Sequence, residues 1–200
     1  CGGGLLDVRD TVVSAQSYDV ARLAAGGAVK AVDLVMNKTF TNSIAFVRPP
    51  GHHAGSCYPM GFCVFNNVAV AASHLLNSHN LDRVAILDLD AHHGNGTQDI
   101  FYNRNDVLYQ STHLSPHYPG TGSMEKIGRN GGEGYTVNLP YPPGTGNKSF
   151  LKAFDTIIPK LTYQFNPELI IYQSGVDTHH SDPLADLELT FQIYYQLSKK

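Results

Sequence analysis

Apolar and polar positions along the chain follow two alternating periods. From residue 17 onward, apolar side chains recur every three to four positions, at Val20, Leu23, Ala24, Ala28, Ala31, Val32 and Val35. That spacing predicts a helix over 17–37, with Ser17 as its cap. Gly26 and Gly27 cost this helix about 1 kcal/mol each, which close packing on a sheet would offset. The short apolar run 43–47 reads as a buried strand, ended by Arg48-Pro49-Pro50-Gly51, which no strand or helix passes unbroken. An alanine- and leucine-rich helix follows over 66–77, then a strand over 84–90 and a glycine break at 94–96. Thr97 is placed to cap a short helix to 102. Further strands are expected over 107–112, 135–139 and 169–173, the last of them buried, with a loop over 113–122. Helices are expected over 148–163, kinked at Pro159, and from 189 onward. Residues 1–11 show no pattern.

Strands alternating with helices predict an α/β fold on a parallel sheet, where ligands sit outside the carboxyl ends of the strands. Three expected strand ends deliver His52-His53, Asp90 with His92, and Asp177. The chain's 200 residues suit one domain. A net charge of −3 gives no bulk attraction to nucleic acid or an anionic membrane. No apolar run approaches the roughly 18 residues of a membrane span, and no basic start leads into an apolar signal core. Three cysteines cannot build a disulfide framework. A reducing, cytoplasmic setting is expected, or the nucleus for a eukaryotic source. The ten histidines are the unusual count, because several stand in glycine- and proline-rich turns.

Residues 84–96 carry the strongest chemical signal. Asp88, Asp90 and His92 alternate at the end of an apolar run, so they should share one side of the strand. Any one of these residues alone reads as a cap, a turn former or a hydrogen-bonded structural group. Two carboxylates and an imidazole together, with no lysine or arginine near them in sequence, would repel unless paired, and a divalent cation resolves that. Asp177, at another strand end, has the same placement.

Five motifs in order resemble the zinc-dependent histone deacetylase superfamily: Arg48-Pro49-Pro50-Gly51-His52-His53-Ala54, Gly61-Phe62-Cys63, residues 87–98, Tyr118-Pro119-Gly120-Thr121-Gly122, and Gly175-Val176-Asp177 with Asp182-Pro183. Asn95, Gln98 and Leu184 place the likeness in the class II branch, which is related to acetylpolyamine amidohydrolases and acetoin utilisation deacetylases. The resemblance implies an arginase/deacetylase-like three-layer α/β fold, with a mostly parallel sheet and helices on both faces. It implies one Zn2+ per chain on Asp90, His92 and Asp177, with His53 as general base and acid and His52 beside it stabilising charge. Asp88 would hold His52, and Asn95 would hold His53 without raising its pKa as a carboxylate would. Phe62 and Tyr118 would wall a narrow acyl-lysine tunnel, with Gly61 accepting the substrate N–H and Leu184 at the mouth. A potassium ion is implied at Asp88 and Ser111, and a second at Phe101, Arg104, Val107 and Tyr135. His93 has no chemistry in this scheme and is expected to be structural.

The family's oxyanion tyrosine, in a glycine-rich loop downstream of the second aspartate ligand, has no match within these residues. Tyr194 and Tyr195 stand too early and in a helical context. Residues 1–200 therefore read as one incomplete catalytic domain, with weak or no activity of its own. Loss of one oxyanion donor costs about 100- to 1000-fold. The expected activity is removal of acetyl groups from acetyl-lysine in proteins. The alternatives are hydrolysis of an acetylated polyamine or other small amine, and a catalytically impaired acyl-lysine-binding module. The oligomeric state is open.

Overall fold

The computed structural model describes residues 3–7 and 10–199; Cys1, and Lys200 of the helix expected from 189 onward, lie outside the described residues. The chain opens with a small antiparallel pair, β1 (Gly4–Leu5) and β2 (Val12–Val13). Helix α1 (Ser17–Met36) starts one residue off the expected cap. Gln16 is the N-cap, and the Ser17 hydroxyl accepts instead from the Ser14 N–H. Its buried side is Ala21, Ala24, Ala25 and Val32, whereas Val20 and Leu23 are exposed. The small residues take the inner face because α1 packs closely: a methyl on Gly27 would stand 3.0 Å from Val47 Cγ1.

Helix α2 (Asn67–Ser78) is capped by Asn66, whose side chain accepts from the Ala69 N–H at 3.0 Å. Strand β3 (Val84–Asp88) leads into α3 (Asn95–Phe101). Gly94, not Thr97, is the N-cap of α3; the Thr97 hydroxyl is engaged with the Asn66 side chain. Then come β4 (Val107–Leu114), longer than expected, β5 (Thr136–Tyr141), β6 (Thr145–Gly146) and α4 (Asn147–Phe165), which contains Pro159. Asn166, in the left-handed region at φ 52°, ends α4 ahead of Pro167. Strands β7 (Leu169–Gln173) and β8 (Leu187–Glu188) precede α5 (Phe191–Leu197).

The main sheet is parallel, in the order β5-β4-β3-β7. Period-two alternation divides its side chains between two cores. Val84, Ile86, Val107 and Tyr109 join α1, α2 and α3 on one face; Leu87, Leu89, Leu114 and Leu139 join α4 and α5 on the other. The fold is the three-layer α/β arrangement expected from the sequence.

Two expectations fail at one edge. Residues 43–47 form no strand, and Ile44 and Phe46 are exposed. The backbone of 44–47 makes no backbone hydrogen bond among the described residues, so strand-like composition is not enough to make a ladder there. Strand β7 is not buried either. Among the described residues it pairs only with β3, and Ile170 and Tyr172 are exposed. A groove of about 1190 Å3 lies between β7, residues 41–48 and α1, and it reaches the carboxyl ends of β3 and β7.

Candidate active site

The end of β3 places Asp88 inside the molecule, where its carboxylate Oδ2 meets His52 Nδ1 at 3.0 Å. The Tyr109 hydroxyl from the neighbouring strand donates to the same oxygen at 3.1 Å. His52 Nε2 lies 4.0 Å from Asp90 Oδ1. Burial alone would lower the His52 pKa, but the carboxylates of Asp88 and Asp90 outweigh it and raise it to about 9. These carboxylates therefore favour the charged form of His52.

His53 is in the opposite state. Its ring centroid is 4.1 Å from that of His52, and its Nδ1 is 2.7 Å from Asn95 Oδ1. The amide oxygen can only accept, so Nδ1 carries the proton and Nε2 keeps its lone pair. Burial, then the neighbouring His52 charge, pushes the His53 pKa down to about 3. Gly61, at φ +57°, is packed so closely on the His53 ring that any side chain there would collide with it.

Beyond β3 the chain turns, and Asp90, His92 and Asp177 converge. His92 Nδ1 is 2.8 Å from Asp177 Oδ2 and 3.1 Å from Asp90 Oδ1. Backbone amides fix both carboxylates: His92 N–H donates to Asp90, and Ala91 N–H to Asp177. Gly175 lets them close up, since a methyl there would strike Asp90 Oδ2. Burial alone would lower the His92 pKa, but the hydrogen-bonded Asp177 and Asp90 reverse this and lift it to about 10. Among the described residues no lysine or arginine pairs with these carboxylates, so the site draws positive charge to one point. One imidazole nitrogen and two carboxylate oxygens, all within 4.8 Å of one another, fit a divalent zinc-type ion with further positions open.

The groove runs past this cluster. Tyr118 stands edge-on to His53, with ring centroids 5.2 Å apart. Gly61, Phe62 and Leu184 line the same groove, and Phe62 and Leu184 are exposed at its surface. His93 is buried and bridges Thr121 (2.7 Å) and Gln98 (3.2 Å), anchoring the loop that carries Tyr118. Ser111 lies in register with Asp88, and its hydroxyl meets His113 Nδ1 at 2.9 Å. Of the second potassium set, the carbonyls of Phe101 and Tyr135 each accept a backbone N–H, from Arg104 and Tyr109. The Arg104 guanidinium pairs with Asp106, and Val107 begins β4 in register with Val84. Burial pushes the Cys63 thiol up to about 12, which disfavours the reactive thiolate.

One residue near the cluster carried no sequence signal. His117 Nε2 is 3.1 Å from His92 Nε2. If Nδ1 of His92 faces a metal, its Nε2–H must donate, and His117 is the acceptor that fixes this tautomer. A single histidine in a loop has no spacing to mark it.

A cation-drawing cluster beside a charged and a neutral histidine, at the carboxyl edge of a parallel sheet, has the chemistry for metal-assisted hydrolysis. Comparison with known proteins shows the family. The chain belongs to the histone deacetylase family: the histone deacetylase domain matches residues 4–200. It is 46% identical to a probable deacetylase of Archaeoglobus fulgidus over 99% of this chain and 55% of the relative. The crystal structure of the HDA15 HD domain superposes with a TM-score of 0.94 at 39% identity, covering 98% of this chain and 56% of that one. An acetylpolyamine aminohydrolase from Burkholderia pseudomallei superposes at 0.90 with 35% identity, covering 96% of this chain and 56% of that one. The chain thus spans about half the length of the curated relatives it matches.

Proposed function

We propose that the protein is a zinc-dependent deacetylase that hydrolyses the amide of acetyl-lysine side chains in proteins. The observation that carries this reading is the division of labour between two adjacent imidazoles beside the Asp90–His92–Asp177 cluster. His53, neutral with its lone pair on Nε2, takes the proton of the attacking water. The resulting imidazolium hands that proton to the departing lysine amine. His52, charged and braced by Asp88, stabilises the negative charge that develops on the acetyl oxygen. A zinc ion held by Asp90, His92 and Asp177 would polarise the acetyl carbonyl and acidify the attacking water.

Phe62 and Tyr118 supply apolar walls for the lysine stem, Gly61 an acceptor for the substrate N–H, and Leu184 an uncharged mouth. The same reading carries a potassium ion at Asp88 and Ser111 and another at Phe101, Arg104, Val107 and Tyr135, neutralising the carboxylate end of the sheet.

Likeness to an acetylpolyamine aminohydrolase supports a small acetylated amine as the competing substrate. An apolar Leu184 at the mouth favours the peptide, since a carboxylate there would better attract a second cationic amine. Turnover of an acetyl-lysine peptide against acetylputrescine decides between them. Preference for the peptide, abolished by chelation and restored by Zn2+, is expected, at the rate about 100- to 1000-fold reduced that a missing oxyanion donor leaves. Preference for acetylputrescine would reassign the substrate.

A further inference from the structure

A second group of metal-type side chains lies away from the strand ends. Asp33 stands in the last turn of α1, His74 in the last turns of α2, and His79 immediately beyond the end of α2. Packing of α1 on α2 brings them together across 41 and 46 residues of sequence. Asp33 Oδ1 is 2.8 Å from His74 Nε2 and 2.7 Å from His79 Nε2. The two rings stand edge to face, with centroids 5.2 Å apart, so both Nε2 atoms aim at one point from different directions. We propose that Asp33, His74 and His79 bind a second divalent transition-metal ion of the zinc class, which clasps the C-terminal ends of α1 and α2.

Two imidazole nitrogens and one carboxylate oxygen match the borderline ligands of zinc, cobalt or nickel; calcium and magnesium prefer oxygen throughout. The three donor atoms lie within 4.8 Å of one another, as do those of Asp90, His92 and Asp177. Bonds of about 2.0–2.2 Å put tetrahedral ligand atoms about 3.3 Å apart. Each of the two Asp33–histidine distances lengthens by about half an ångström to reach that spacing. The side chains of Asp33, His74 and His79 keep 28%, 27% and 19% of their surface exposed, which leaves room for water to complete the coordination. Among the described residues no lysine or arginine competes for Asp33. The site shares no residue with the proposed catalytic centre and does not depend on it.

The test is metal content of the purified chain, stripped with chelator, reloaded with Zn2+ and desalted. Two zinc ions per chain are expected for the wild type and one for His74→Gln/His79→Gln. Asp90→Ala/Asp177→Ala should also keep one, and its Co2+ form should show visible d–d absorption that disappears when His74→Gln/His79→Gln is added. Zn2+ should raise the melting temperature of the wild type more than that of His74→Gln/His79→Gln, a comparison between folded proteins. Equal zinc content and equal thermal shifts in these two proteins would overturn the proposal. So would an Asp90→Ala/Asp177→Ala chain that takes up no zinc at micromolar free ion.

Discussion

Gly94→Ala probes how the His52 charge is held. Gly94 has φ −77°, so alanine fits the backbone and any effect comes from the added methyl. That methyl would strike Asp88 Oδ2, stand 2.5 Å from the Tyr109 hydroxyl oxygen and 3.1 Å from His52 Nδ1. Asp88 and Tyr109 are 1% and 0% exposed, so neither can swing aside. Overpacking of this kind costs about 1–3 kcal/mol. Weakening the hydrogen bonds to a buried carboxylate adds about 1–2 kcal/mol. A total near 3 kcal/mol lowers the melting temperature by about 6–12 °C in a chain of this length. Loss of the brace behind His52 should also cut deacetylase turnover about 10- to 100-fold, with zinc content unchanged because Asp90, His92 and Asp177 are untouched. Thermal melts, zinc analysis and acetyl-lysine peptide turnover on one preparation measure all three. A variant with wild-type melting and wild-type turnover would refute the argument that Asp88 and its packing hold His52 in its charged state.

Gly26→Ala should act the other way. Gly26 is an exposed interior position of α1 with nothing within 4 Å of an added methyl, so the variant should be about 0.5–1 kcal/mol more stable in urea; destabilisation would contradict it. His117→Ala, which leaves the His92 Nε2–H without its acceptor, should weaken zinc affinity about 10- to 100-fold in a chelator competition; unchanged affinity would remove His117 from the site. Stability should fall as pH drops from about 6.5 toward 4. Burial holds His113 at about 4 and His93 at about 3, both below their unfolded value, so unfolding takes up protons in that window. A melting temperature that does not change between pH 7 and pH 5 would contradict the buried neutral assignment.

The alternation of periods revealed the α/β fold on a parallel sheet because the main helices and the inner strands β3 and β4 each bury an apolar side in one of the two cores. The same signal misled at the open edge. Ile44-Ala45-Phe46-Val47 and Leu169–Gln173 both look like interior strands, yet among the described residues the first is unpaired and the second is paired on one side. Periodicity records apolar character, not whether a neighbour is there to cover it. In α1 the large Val20 and Leu23 point outward and alanines pack inward, a choice set by how closely the neighbouring chain approaches. The candidate site was legible where motifs are contiguous, at His52-His53 and Asp88 to Asn95. The structure joins those motifs through distances of 2.7–3.1 Å that sequence can only imply. His117 and the Asp33, His74 and His79 group were not legible, because single residues from separate elements meet only after folding.

The central claim is that His53 moves the proton while Asp90, His92 and Asp177 hold the metal. Zinc content and acetyl-lysine peptide turnover measured together on wild type and His53→Ala test it most directly. Zinc should persist in the variant while turnover falls at least about 100-fold. Zinc retained with turnover near wild type would contradict the assignment.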